Sequence, residues 1–190
     1  MKTFRNKEEL LAEWEVNGAC EEGKRFNKSC KDLQEILEKC PLNFRIWRLK
    51  RGYIQFAEHC NWKELDGYDW AILLSYQPQF FERCDWNKLN AEDWLKLLIS
   101  QPQFVYHCPL DKFNRSDWEA LLSHQPQLID YCPLNELNGD NWAYLLCKQP
   151  QLLKYCDLNK LDEHDWDFLL NHQPQFEKYR KFKKIKKTVF

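Results

Sequence analysis

The sequence predicts an all-α protein, an α-solenoid of stacked two-helix repeats with a 24-residue period, and three observations carry that expectation. Trp70, Trp94, Trp118, Trp142 and Trp166 lie 24 residues apart without a slip. Around them recurs D/N-W-x-x-L-L-x-x-Q-P-Q-F/L, with a cysteine four residues further on. Periods of about 20–50 residues mark architectures in which each unit buries its apolar face on its neighbours. The composition agrees: 44% hydrophobic and 15% aromatic residues supply a core, while 5 glycines are few for a protein built of tight β-turns.

Residues 1–39 read as a helical N-terminal cap. Asn6-Lys-Glu-Glu9 is a capping-box pattern, and it opens a helix with Leu10, Leu11 and Trp14 on one side. Ser29 is expected to cap another helix through Leu33, Ile36 and Leu37. Residues 40–59 read as a degenerate repeat. Cys40-Pro-Leu-Asn-Phe44 resembles Cys132-Pro-Leu-Asn-Glu136, and Trp47 precedes Cys60 by 13 residues where later copies use 14.

Residues 60–177 form the tandem repeats, for which Asn90 to Phe113 serves as the type copy. Asn90 and its equivalents Asp66, Asn114, Asn138 and Asp162 are preferred N-caps, because their side-chain oxygen accepts an orphan backbone N–H. Asp69, Asp93, Asp117 and Asp165 follow, carboxylates suited to the positive end of a helix, with Asn141 in the remaining copy. The first helix is expected over about Ala91–Ser100, with Trp94, Leu97 and Leu98 as its apolar stripe. Pro102 ends it and suits the first turn of a second, shorter helix to about Cys108. Phe104, Val105 and Cys108 line one side of that helix, and Leu110 and Phe113 reach the core from the closing turn. The glutamines flanking each proline are expected to bond backbone groups of the tight inter-helix turn. The tryptophans share a stripe with leucines, which makes them core rather than a stacking platform for a sugar or base.

At the far end the inner slot held by Phe81, Val105, Ile129 and Leu153 becomes Glu177, and the cysteine slot becomes Arg180. A terminal repeat has no neighbour to pack on, so a polar face is expected there. Residues 178–190 form a basic C-terminal tail containing Lys178, Arg180, Lys181, Lys183, Lys184, Lys186 and Lys187.

The repeat resembles tandem W-x-x-L-L-x-x-Q-P-x-F/Y units of bacterial and phage-associated proteins. Trp70-Ala-Ile-Leu-Leu74, Gln77-Pro-Gln-Phe80 and Cys84-Asp-Trp-Asn-Lys-Leu89 carry the likeness, over about residues 60–176. Gly18-Ala-Cys-Glu-Glu-Gly23 and Trp47 look like a small module that accompanies such repeats. The resemblance implies a helical array and no particular activity.

Charge and cysteines restrict the function classes. The formal net charge is -1, yet residues 60–177 hold 9 Lys/Arg against 19 Asp/Glu and the tail holds 7 basic residues and no acidic one. Five of the nine cysteines, Cys60, Cys84, Cys108, Cys132 and Cys156, occupy one register. Equivalent residues on stacked helices sit roughly 8–10 Å apart at the axes, too far for a disulfide, which needs Cα atoms within about 7 Å. They are expected as small buried hydrophobes in a reducing compartment, and without a CxxC pair no zinc cluster is expected. The charged start of the chain lacks a signal-peptide pattern and no stretch approaches a spanning length, so a cytoplasmic location is expected and no membrane partner.

No Gly-rich phosphate loop, H-E-x-x-H or G-x-S-x-G is present, so no enzyme, cofactor, metal or small-molecule substrate is expected. In repeat proteins the changing positions meet the partner. One such slot, six residues after each tryptophan, holds Tyr76, Ser100, His124, Lys148 and His172. The other, just before each cysteine position, holds Arg83, His107, Tyr131, Tyr155 and Tyr179. Both are expected to face solvent, and tyrosine, histidine and arginine suit protein interfaces. The expected function is non-catalytic binding of another protein. An alternative is an acidic, phage-type inhibitor that occupies the basic groove of a nucleic-acid-handling enzyme; a third is nucleic-acid binding through the basic tail.

Overall fold

The computed structural model describes residues 3–18 and 20–180, and among them the secondary structure is entirely helical, with no strand. The chain divides into two compact units, Met1–Asp93 and Trp94–Phe190.

The first unit contains α1 (Lys7–Asn17), α2 (Glu21–Ser29), α3 (Leu33–Lys39), α4 (Leu42–Lys50) and α5 (Gly67–Tyr76). Asn6 caps α1 by accepting the Glu9 N–H at 2.9 Å. Gly18 closes it with φ 72°, a left-handed conformation that only glycine enters at no steric cost. The expected cap at Ser29 is corrected: Ser29 is the last residue of α2, and Asp32 caps α3 by accepting from Glu35 N at 2.8 Å. Asp32 stands immediately before the helical run, whereas the Ser29 hydroxyl turns back onto the Phe26 carbonyl. Leu10, Trp14, Ile36, Leu49 and Phe56 are buried as the core of this unit, and α4 packs on α5.

The repeat helices continue as α6 (Ala91–Ser100), α7 (Arg115–His124), α8 (Gly139–Lys148) and α9 (Glu163–His172). Their caps follow the sequence closely. Asn114, Asn138 and Asp162 each accept the N–H of the third helical residue, whose own side chain accepts the cap's N–H in return. Asp66 with Asp69, and Asn90 with Asp93, do the same in the first unit. The residue before each register tryptophan is therefore a capping-box partner, and in the four copies where it is aspartate it is a favourable charge as well.

All five register tryptophans are buried to within 1% of complete exclusion. Removing an indole of 150–250 Å² from water contributes roughly 4–6 kcal/mol of transfer free energy. In the second unit α7 packs on α8 and α8 on α9, with Leu121, Leu122, Leu145, Leu146 and Leu169 buried beside the indoles.

The segment after each proline departs from the expected α-helix. Pro78–Arg83, Pro102–His107, Pro126–Tyr131 and Pro150–Tyr155 are 3-10 helices. The cysteine that follows is extended, and its N–H bonds three residues back, as Cys108 N does to Val105 O at 3.1 Å. Six residues are too few to gain from the wider α-spiral, and the tighter turn still buries Phe104 with Val105 and Leu128 with Ile129.

The glutamines explain how neighbouring copies lock. In four of the five Q-P-Q segments the first glutamine donates its amide to a carbonyl at the C-terminal end of the helix before it. Gln77 Nε2 reaches Lys50 O at 3.2 Å, Gln149 reaches Ser123 O at 2.7 Å and Gln173 reaches Cys147 O at 2.8 Å, while Gln125 does the same to Ile99 O. Its Oε1 accepts from the second glutamine, as Gln151 Nε2 to Gln149 Oε1 at 2.8 Å. The bond therefore runs between copies, not within one inter-helix turn as expected. Lys50, the last residue of α4, accepts from Gln77 as Ser123, in the last turn of α7, accepts from Gln149.

Candidate interaction surface

Invariant positions are spent on this scaffold, so the variable ones decide what the surface offers. Tyr76, Ser100, His124, Lys148 and His172 each end a repeat helix and are exposed. Several lean on their own helix. His124 Nδ1 lies 2.9 Å from Ala120 O, and His172 Nδ1 lies 2.9 Å from Phe168 O with its ring 4.6 Å from the Phe168 ring. A histidine in the last turn meets the negative end of the helix dipole, so part of this slot serves helix ends. Lys148 Nζ sits 5.7 Å over the Tyr144 ring, and Lys50 Nζ 4.3 Å over Tyr76.

The slot before the cysteines is only partly solvent-directed, which corrects the expectation. Arg83 and His107 are exposed, but Tyr131, Tyr155 and Tyr179 are half-buried. Each ring is covered by a neighbour: Tyr131 meets Tyr106 edge-on at 6.0 Å, Lys154 Nζ lies 4.7 Å over Tyr155, and Phe176 lies 5.9 Å from Tyr179. A hydrogen bond with Tyr106 holds the Tyr131 hydroxyl above its ordinary pKa.

Of the basic tail, Lys178 is exposed, while Arg180 folds back onto α9. Its guanidinium bonds Asp167 Oδ1 at 2.8 Å and also Glu163. The two carboxylates raise the Arg180 pKa, the Glu163 hydrogen bond most. Lys181, Lys183, Lys184, Lys186 and Lys187 lie outside the described residues.

A second surface feature comes from slots that the sequence reading passed over. On α7, α8 and α9 a cleft of about 270 Å³ is lined by Glu119, Asp140, Tyr144, His164, Asp165 and Phe168. Asn141 Nδ2 donates to Glu119 Oε2 at 2.6 Å, and Asp165 Oδ2 accepts from Asp162 N at 2.8 Å. Burial raises the Asp165 pKa; the bond from the Asp162 amide works against this, and a hydrogen bond with the Asp140 carboxyl adds to it. Tyr144 and Phe168 are exposed large rings on the same cleft. Both stand two residues after a tryptophan, a slot that reads Ile72, Lys96, Ala120, Tyr144, Phe168. Two residues at about 100° each turn a side chain to the far side of the helix from the buried indole. Variation plus helical angle would have found the slot.

Of the register cysteines expected to be buried, Cys60 and Cys132 are buried, while Cys84, Cys108 and Cys156 are half-buried. All nine cysteines are free thiols. Burial pushes Cys84, Cys108 and Cys132 up to about 12, away from thiolate reactivity. Among the described residues no group of three or more His, Cys, Asp or Glu side chains gathers as a metal site, and no helix is long and apolar enough to cross a membrane.

No protein-family model, curated protein or solved structure matches the chain.

Proposed function

We propose that this chain is a non-catalytic α-solenoid scaffold that binds another protein through a basic side chain of that partner. The observation that carries the reading is the cleft on α7–α9. Glu119, Asp140 and Asp165 supply carboxylate oxygens there, and Tyr144 and Phe168 supply exposed ring faces. A lysine or arginine seated in such a cleft gains charge-assisted hydrogen bonds and a cation–π contact together. Asp165 holds its proton above the ordinary carboxyl range, and an incoming cation would favour its ionised form.

One observation favours a more specific partner. Residues 60–177 carry ten more acidic than basic residues, so a protein with a basic nucleic-acid-binding groove is electrostatically complementary. An acidic inhibitor of a nucleic-acid-handling enzyme fits this charge balance. Nine free cysteines support a reducing compartment such as the cytoplasm.

The test compares the wild type with the triple variant Asp140→Asn, Tyr144→Ala, Phe168→Ala as immobilised baits across a salt series. The expected result is a partner retained by the wild type and lost by the variant, at unchanged helical circular dichroism. A steep loss with salt, in a partner that handles nucleic acid, supports the inhibitor reading. Identical captures by both baits would remove the cleft from the account.

A further inference from the structure

Two pairs of residues spaced i,i+4 stand on neighbouring helices, Asp140 with Tyr144 on α8 and His164 with Phe168 on α9. Residues four apart share one helix face, and α8 packs on α9, so the two pairs set the corners of the α7–α9 cleft. All four are open to an incoming group, and Tyr144 and Phe168 keep 36% and 37% of their surface in solvent. Ala143 and the buried Asp165 lie beneath, with Glu119 of α7 alongside. The slot one residue after each tryptophan holds Leu95, Glu119 and Asp167 in other copies, so alanine at 143 leaves room above it.

Both rings already draw basic groups from their own helices. Lys148 Nζ lies 5.7 Å over Tyr144, and the His172 ring lies 4.6 Å from that of Phe168. Neither basic residue lines the cleft, which opens on the N-terminal side of the rings, toward Asp140 and His164.

Tyr144 and Phe168 hold the same slot of adjacent copies, and the axes of packed helices are roughly 8–10 Å apart. One flat cation fills a gap of that size between two rings. The chain builds such a sandwich in its first unit, where the Arg48 guanidinium lies 4.1 Å from the Trp14 centroid and 4.5 Å from that of Phe56. A lysine ammonium suits the gap less well, being a compact and strongly hydrated point charge. A guanidinium stacks on ring faces, sheds water more readily and keeps its N–H edge for carboxylates. Asp140 at the rim and the half-buried Glu119, whose Oε2 also accepts from Asn141, supply acceptors for that edge.

We infer that the cleft takes an arginine of the partner protein, its guanidinium stacked between Tyr144 and Phe168 with its N–H edge on Asp140 and Glu119. The inference rests on the reading of the cleft as a seat for a basic side chain, and it names which one.

The full chain is titrated with acetyl-Gly-Arg-Gly-amide and with its lysine and citrulline counterparts, and the ring ¹³C–¹H resonances of Tyr144 and Phe168 are followed by NMR. The arginine peptide is expected to shift both rings saturably and to bind roughly 5–10-fold more tightly than the lysine peptide. Citrulline, flat but uncharged, is expected to bind at least about 10-fold more weakly than arginine. Phe168→Leu, at an exposed position, removes one face of the sandwich and is expected to bring arginine within about twofold of lysine. Equal binding of the arginine and lysine peptides, with both rings shifted, would overturn the arginine assignment and leave the basic-side-chain reading standing. Saturable shifts from neither peptide would overturn both. An arginine preference undiminished in Phe168→Leu, or citrulline binding equal to arginine, would also overturn the assignment.

Discussion

Gln149 donates its side-chain amide to the backbone oxygen of Ser123 at 2.7 Å, tying one repeat to the C-terminal end of the helix before it. That carbonyl belongs to the last turn of α7, where no intrahelical N–H remains to satisfy it. Gln149→Ala is therefore expected to cost about 1–2 kcal/mol in urea denaturation, the penalty for a half-buried acceptor left unpaired. The exposed Gln151, which only orients its neighbour, is expected to cost less than about 0.5 kcal/mol when truncated. Gln149→Glu presents an ionised acceptor to an acceptor, so it should be worse than alanine at neutral pH and recover as acid protonates it. Equal effects of Gln149→Ala and Gln151→Ala would remove the inter-repeat bond from the explanation.

This bond also marks where sequence reasoning stopped. Period, caps and buried stripe were legible because each depends on neighbours within a few residues: Asn138 with Asn141, or Trp142 with Leu145 and Leu146. The partner of Gln149 lies 26 residues away, and only the placed backbone identifies it. The same holds for the buried Arg48 of α4, whose neighbours Trp14, Asn27 and Cys40 come from α1, α2 and the end of α3. The 3-10 form of Pro102–His107 was illegible for another reason, since proline announces a turn without fixing whether its hydrogen bonds span three residues or four.

Gly139 is expected to tolerate no side chain. A Cβ built there would stand 2.0 Å from Asp165 Oδ2 and 2.6 Å from the Lys160 carbonyl, contacts that require the next copy to shift. Gly139→Ala is expected to destabilise by about 1–3 kcal/mol, despite the helix propensity alanine adds. The equivalent Ala91 supplies the control, because Ala91→Gly should cost no more than the propensity difference of about 1 kcal/mol. Thermal denaturation of the pair checks this, and a neutral Gly139→Ala would refute the close approach.

Alkaline pH is expected to loosen the repeats through their thiols. Cys84, Cys108 and Cys132 titrate near 12 in the fold against a reference of 9.0, because burial disfavours the thiolate. The folded state thus holds these protons more tightly than the unfolded chain. Their contribution is complete below about pH 9 and is lost as pH rises toward 12. Urea midpoints should fall over that window, and Cys108→Ala should flatten the fall. At pH 8, iodoacetamide should modify the exposed Cys20 first, read by peptide mass spectrometry. Early modification of Cys132 would contradict its burial.

Arg180 is expected to hold the last repeat helix at its N-terminal side. It bridges Glu163 and Asp167, but both carboxylates are mostly exposed, at 70% and 63% of their side-chain surface. Solvent screening limits such a pair to about 0.5 kcal/mol each, so Arg180→Ala should leave global stability almost unchanged. The effect should appear locally, as faster amide hydrogen exchange over the first turns of α9 and smaller differences in high salt.

Asp165 is expected to report on occupancy of the α7–α9 cleft. Its carboxyl pKa is raised by burial, while the Asp162 amide works in the opposite direction and the Asp140 carboxyl adds to the rise. A raised carboxyl pKa means the fold prefers the neutral acid, so that contribution is present below the unfolded pKa and is lost as pH climbs through the folded one. Asp140→Asn replaces the facing acid with an amide that donates to the Asp165 carboxylate. Asp165 should then titrate lower, and the variant should gain up to about 1 kcal/mol at pH 7 and almost nothing at pH 3. A cation in the cleft acts in the same sense. Adding a tri-arginine peptide to the wild type should lower the Asp165 pKa measured by ¹³C NMR. If Asp165 fails to respond while other carboxylates shift together, the peptide is screening charge generally and the cleft does not select a basic side chain.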